Sequence, residues 1–153
     1  MRKYLAVVLL IFTLGLLASC GPKQGSGKED EEIGAVIAAL ESGGQAVSLE
    51  RMEKGILNGD RYRLALDGGT EVVLYQYATP QGAQNDAGCI DKSGCSIAFG
   101  QGGEGTAFQI DWVSVPHYYL YRSLIVEYVG TDERILSALE GLCGACFAGG
   151  EQT

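Results

Sequence analysis

The side chains with the widest chemical scope in this chain are its five cysteines and its one histidine. Cys89, Cys95, Cys143 and Cys146 lie in the body of the chain, and Cys143-Gly144-Ala145-Cys146 is a Cys-x-x-Cys. Such a pair carries out thiol–disulfide exchange when its first thiol opens a helix, where the helix dipole lowers its pKa. Here the motif follows the last helical segment, the wrong end for activating a thiolate. An even number of cysteines behind an export signal reads first as a disulfide framework. Three connectivities are open. The local pairs Cys89–Cys95 and Cys143–Cys146 are favoured, and the rival pairing staples the last helix to the 89–95 loop. Closing a loop as short as Cys89–Cys95 stabilises by only roughly 2 kcal/mol on the chain-entropy model. The Cys-x5-Cys spacing is wide for a zinc knuckle. No metal and no cofactor is expected.

His117 stands alone, so no site that needs two imidazoles can form. It lies in Pro116-His117-Tyr118-Tyr119-Leu120-Tyr121-Arg122. His117, Tyr118, Tyr119, Tyr121 and Arg122 make up the most ligand-like surface the sequence offers, since Tyr and Arg are enriched at binding hot spots. The plainer alternative is a folded edge strand. Gly100-Gln101-Gly102-Gly103-Glu104-Gly105 matches G-x-G-x-x-G by letter. The phosphate-binding form of that motif needs a strand before it and a helix after it. Here a strand follows, and Glu104 would repel phosphate, so the segment reads as a loop. Asp111 and Glu127 fall on separate strands and form no evident glycosidase pair. No catalytic residue is assigned.

The N-terminus sets where these side chains work. Arg2 and Lys3 precede an apolar run from Leu5 to Leu17, which has signal-peptide length and is shorter than the roughly 20 residues that span a bilayer. Leu17-Ala18-Ser19-Cys20 resembles the lipobox of bacterial lipoproteins. That resemblance implies cleavage before Cys20 and diacylglycerol and fatty-acyl groups such as palmitate on that residue. Two acyl signals give stable anchoring at about 0.8 kcal/mol per buried methylene. Removing nineteen residues from 153 leaves 134, and the loss of Arg2 and Lys3 takes the net charge from −8 to −10. A body this acidic is a poor binder of phosphate backbones, so no nucleic-acid partner is expected. The expected location is the extracytoplasmic face of a cell or outer membrane.

Residues 20–32 comprise the lipidated cysteine and a Gly-, Ser- and charge-rich tether, whose Glu-Asp-Glu-Glu run reads as solvated charge feeding a helix. One domain is expected over 33–148, with a tail at 149–153. Ile33, Val36, Ile37 and Leu40 give the first helix one apolar face, over about Glu31–Glu41, and Gly43-Gly44 ends it. A short strand over 46–50 is the weakest element. Tyr62, Leu64 and Leu66, then Val72 and Leu74, alternate around Asp67-Gly68-Gly69, which marks a hairpin. Thr79-Pro80 caps a second helix with Ala83, Ala87 and Ile90 on one face. Residues 91–105 read as loop, Ala107–Val113 as a strand, 116–123 as a connection and Leu124–Val129 as a strand. Thr131-Asp132-Glu133 opens a last helix bearing Ile135, Leu136, Leu139 and Leu142. The order α-(β)-β-β-α-β-β-α predicts an α+β fold. Its antiparallel sheet of about 4–5 strands carries three helices, placed on one face.

VVLYQYATPQGAQNDA, DWVSVPHYYLYRSLIVEYVG and the final helix together resemble a group of small bacterial lipoproteins of unassigned function. Trp112, Pro116, His117, Tyr121, Leu124, Tyr128 and Gly130 carry the likeness, which spans roughly residues 60–142. It implies a compact accessory domain and brings no activity, substrate or site residue with it. The function expected is a lipid-anchored, non-enzymatic binding or scaffolding component of the envelope, with the membrane and an envelope protein as partners. The alternative is a thiol–disulfide protein using Cys143 and Cys146. A small-ligand binder would show a cavity under Tyr75, Trp112 and Tyr128.

Overall fold

The computed structural model describes residues 27–100 and 105–150. The export segment 1–19, Cys20, tether residues 21–26, residues 101–104 of the glycine-rich loop and tail residues 151–153 lie outside the described residues.

Helix α1 spans Gly27–Ser42 and buries Ile33, Val36 and Leu40 at helical spacing. It stops where Gly44 turns to φ 85° and the Gln45 amide reaches back to the Leu40 carbonyl at 3.2 Å, a six-to-one closure that suits glycine. The helix begins inside the stretch read as tether, and one of its acidic residues is not solvated. Glu32 is 1% exposed, and its carboxylate accepts hydrogen bonds from the Ser123 amide (3.1 Å) and hydroxyl. Glu31 stays at the surface, 3.6 Å from the Arg122 guanidinium.

Strands β1 (Val47–Arg51), β2 (Asp60–Leu66) and β3 (Glu71–Gln76) form an antiparallel meander. The β2–β3 connection is the expected one. Gly68 and Gly69 take φ of 75° and 80°, and the Leu66 amide bonds to the Thr70 carbonyl. Thr79 caps helix α2 (Pro80–Ala87), accepting a bond from the Gly82 amide at 3.2 Å. Strands β4 (Ser96–Phe99) and β5 (Thr106–Gln109) make a separate hairpin. Strands β6 (Pro116–Tyr121) and β7 (Leu124–Val129) follow. Helix α3 (Glu133–Cys143), capped by Asp132, and a two-residue strand β8 (Ala148–Gly149) end the fold.

The fold is α+β, with three helices, a six-stranded antiparallel sheet in the order β1-β2-β3-β7-β6-β8, and the β4–β5 hairpin. Its details differ from the sequence reading in several places. The main sheet has six strands rather than four or five, and residues 91–105, read as loop, contain β4. Residues 116–121 are a strand, as the edge-strand reading of the His117 segment had it and not the connection of the element order, joined to β7 by a tight turn in which Arg122 holds φ 52°. The strand expected at 107–113 ends at Gln109. The helices are also divided between the two faces of the sheet. On one face Leu64, Leu66, Val72, Leu74, Tyr119, Leu124, Val126 and Tyr128 pack under α1 and α3. On the other, Val73, Tyr75, Tyr77, Tyr118 and Ile125 lie under α2, Leu57, Ile90 and the β4–β5 hairpin. The cause is in β3 and β7. Both carry apolar side chains at odd and even positions, so neither face can be left to water.

Candidate functional site

The four cysteines Cys89, Cys95, Cys143 and Cys146 carry free thiols. Their four sulfurs are unbonded, and all four residues are half-buried. The Cys89 thiol donates back to the Asn85 carbonyl at 3.4 Å. Cys143 is the last residue of α3, at the dipole's negative end, and burial pushes its thiol up to about 11. Both features work against thiolate chemistry at that position. Among the described residues, no three His, Cys, Asp or Glu side chains gather as a metal site.

The five residues of the expected contact patch do not form one exposed surface. His117 is 8% exposed, and Tyr118 and Tyr119 are fully buried; only Tyr121 and Arg122 reach solvent. Their strand alternates, so His117 and Tyr119 point under the helices while Tyr118 points to the opposite face. The His117 ring stacks on Tyr128 at 6.0 Å, and its Nε2 lies 3.1 Å from the Gly130 carbonyl, which fixes the proton on that nitrogen. Burial lowers its pKa, partly opposed by that carbonyl and by Glu140.

A cleft with a few charged groups in a largely apolar lining does form, on the sheet face that bears α2. It has a volume of about 610 Å³ and lies between strands β2, β3 and β7 and the chain leading out of β5. Tyr75 and Trp112 line it, as a ligand-binding reading of the sequence expected, whereas Tyr128 is on the other face. Arg61, Glu71 and Glu127 supply its charged groups, and Ile56, Ile110 and Val129 part of its apolar wall. Strand pairing places these groups. Arg61 sits opposite Tyr75, and Glu127 sits between Val73 and Tyr118.

Glu127 is the chemical centre of this cleft. It is 8% exposed and accepts a bond from the Tyr75 hydroxyl at 3.2 Å. Burial holds its carboxyl above the usual range, while the Tyr118 and Tyr75 hydroxyls and the Arg61 charge pull it down. Burial, and then the Glu127 charge, raise both phenols. The Tyr118 hydroxyl is near enough to polarise Glu127, yet it has no partner in hydrogen-bonding geometry, and neither has the buried Nε of Arg61. The Arg61 guanidinium lies 5.9 Å from the centre of the Tyr75 ring. Trp112 is anchored by its Nε1, which donates to the Gly94 carbonyl at 2.8 Å.

The sequence did contain a signal for Glu127. It is the one charged residue in Leu124-Ile125-Val126-Glu127-Tyr128-Val129, the most strand-like run in the chain. A charge in a strand that is otherwise apolar at every position must be paired or put to use. A second hollow lies between α1 and α3, lined by small residues such as Ala39, Gly43 and Ala138, with no buried titratable group. Comparison with protein families, characterised proteins and solved structures gives no match. The functional reading therefore rests on the chain's own residues.

Proposed function

We propose that this protein is a lipid-anchored component of the cell envelope, held through Cys20 on the extracytoplasmic face. In this reading it binds a small ligand at Glu127 without transforming it. The observation that carries the binding half is a buried carboxyl group lining a cleft with only one hydrogen bond made to it. Perturbed acids in a concave, partly aromatic site are the usual mark of ligand recognition. The lining brings Glu127, Glu71, Arg61 and Tyr75 to one cleft, groups that can hold a ligand by hydrogen bonds and charge. Lipobox and tether supply the anchoring half.

The test is retention of small molecules from an envelope extract by the immobilised full chain, read by mass spectrometry. The wild type retains molecules that Trp112→Ala does not. Identical retention by the two proteins would remove the cleft from consideration.

A further inference from the structure

The polar groups of the cleft form an unmatched set, and the mismatch defines what would complete it. Three carboxylates are buried among the described residues, and two of them are satisfied by the protein. Asp86 accepts from the Asn58 amide (2.6 Å) and side chain (2.9 Å) and from the Tyr77 hydroxyl (2.8 Å). Glu32 is held by Ser123. Glu127 accepts from the Tyr75 hydroxyl, with the buried Tyr118 hydroxyl behind it and outside the lining, and in the lining itself the Arg61 Nε is a donor with no acceptor. A buried donor of this kind is costly until an acceptor arrives.

Three ligand classes can be weighed against this set. An organic cation brings donors only. It leaves the Arg61 Nε unpaired, and it meets the guanidinium already stacked on the Tyr75 ring. An anion must approach Glu127 and Glu71, both in the lining. A neutral molecule carrying several hydroxyl groups fits, because each hydroxyl both donates and accepts. It can accept from Arg61 and donate to Glu127, or accept from that carboxyl when it is protonated. The apolar side of the cleft agrees. Trp112 spends its one polar atom on the Gly94 carbonyl, so what it offers the cavity is ring carbon.

We infer that the cleft binds a neutral saccharide ring, its C–H face against Trp112 and its hydroxyls toward Glu127 and Arg61. The inference rests on the reading of the cleft as a ligand site and names the class of ligand.

The experiment uses the full chain in a detergent without a sugar headgroup. Trp112, the sole tryptophan, reports binding by its emission, and calorimetry reports it independently. The probes are glucose, galactose and N-acetylglucosamine as neutral rings, glucuronate as a ring with a negative charge, and choline as a cation. At least one neutral sugar gives saturable binding, and glucuronate and choline at equal concentration bind at least about ten-fold more weakly. Arg61→Met removes a donor to the sugar and weakens its binding by about ten-fold or more, and Glu127→Gln, which replaces one carboxyl oxygen by an amide donor, weakens it as well. Circular dichroism of both variants checks that the fold persists. Preferential binding of choline, lost in Glu127→Gln, or of glucuronate overturns the saccharide assignment and leaves the ligand site standing. If no probe of any charge binds, the assignment falls, and the Trp112→Ala retention test then decides separately whether the cleft binds anything.

Discussion

Glu127, Asp86 and Glu32 show how differently a buried carboxylate can behave within one small protein. Asp86 ties the loop at Asn58 to α2 and Tyr77. Asp86→Ala leaves those donors stranded, and should lower unfolding free energy by about 2–4 kcal/mol in urea titration. Glu127 acts in the opposite sense. Its folded pKa is raised, so between its unfolded and folded values the native state holds the extra proton, and stability falls as pH rises through that window. Glu127→Gln removes this dependence. Its melting temperature relative to wild type should therefore climb from pH 4 to pH 8, measured by calorimetry, and a flat difference would contradict the assignment. Cys143, pushed up to about 11 by burial, should be alkylated slowly by iodoacetamide at pH 8 under reducing conditions, and at the ordinary thiol rate in denaturant. At this scale, the placement of Tyr75 and Trp112 around a cavity could be anticipated from their types. Tyr128 could not be excluded without the register, since one step along β7 moves a side chain to the other face of the sheet. There Tyr128 stacks on His117 and accepts from the Asp132 amide at 3.1 Å.

Elements marked by local chemistry were readable in advance, and those made by tertiary burial were not. The Gly68-Gly69 turn, the Gly44 stop of α1 and the Thr79 and Asp132 caps are short-range devices, and each stands where the sequence put it. Thr79→Ala removes the bond to the Gly82 amide and should cost about 1 kcal/mol, measured by chemical denaturation. Strand β6 was open to two readings, a connection and a folded edge strand, because Pro116 to Tyr119 are buried without a break, which erases the polar–apolar alternation that marks a half-exposed strand. Strand β8 is only two residues long, too short for any periodicity. Its docking depends on a bare backbone. Gly149 has φ 76°, and a side chain there would collide with the Pro116 carbonyl. The start of α1 was placed too late because an acidic run looks solvated until a partner such as Ser123 is known.

Two separate cores, one on each face of a single sheet, make the molecule a sandwich with the sheet as its common wall. The anchor belongs to this whole. Cys20→Ser should release the protein from membranes into the soluble fraction, read by fractionation and immunoblot, and a membrane-bound variant would count against lipid attachment. The junction of Glu31 and Glu32 with the β6–β7 turn fixes which end of the sandwich the anchor holds. Seven residue steps separate Cys20 from Gly27, a reach of at most about 25 Å at full extension. If Cys20 is acylated, as proposed, the Arg122–Ser123 corner would be held within about that reach of the bilayer, plus the first turn of α1. Thr70, Glu71 and Val129, which border the cleft, lie at the other ends of β3 and β7, about 17–20 Å further along the strands. Should Cys20 carry lipid, as proposed, these cleft residues would sit at the strand ends remote from the tethered corner.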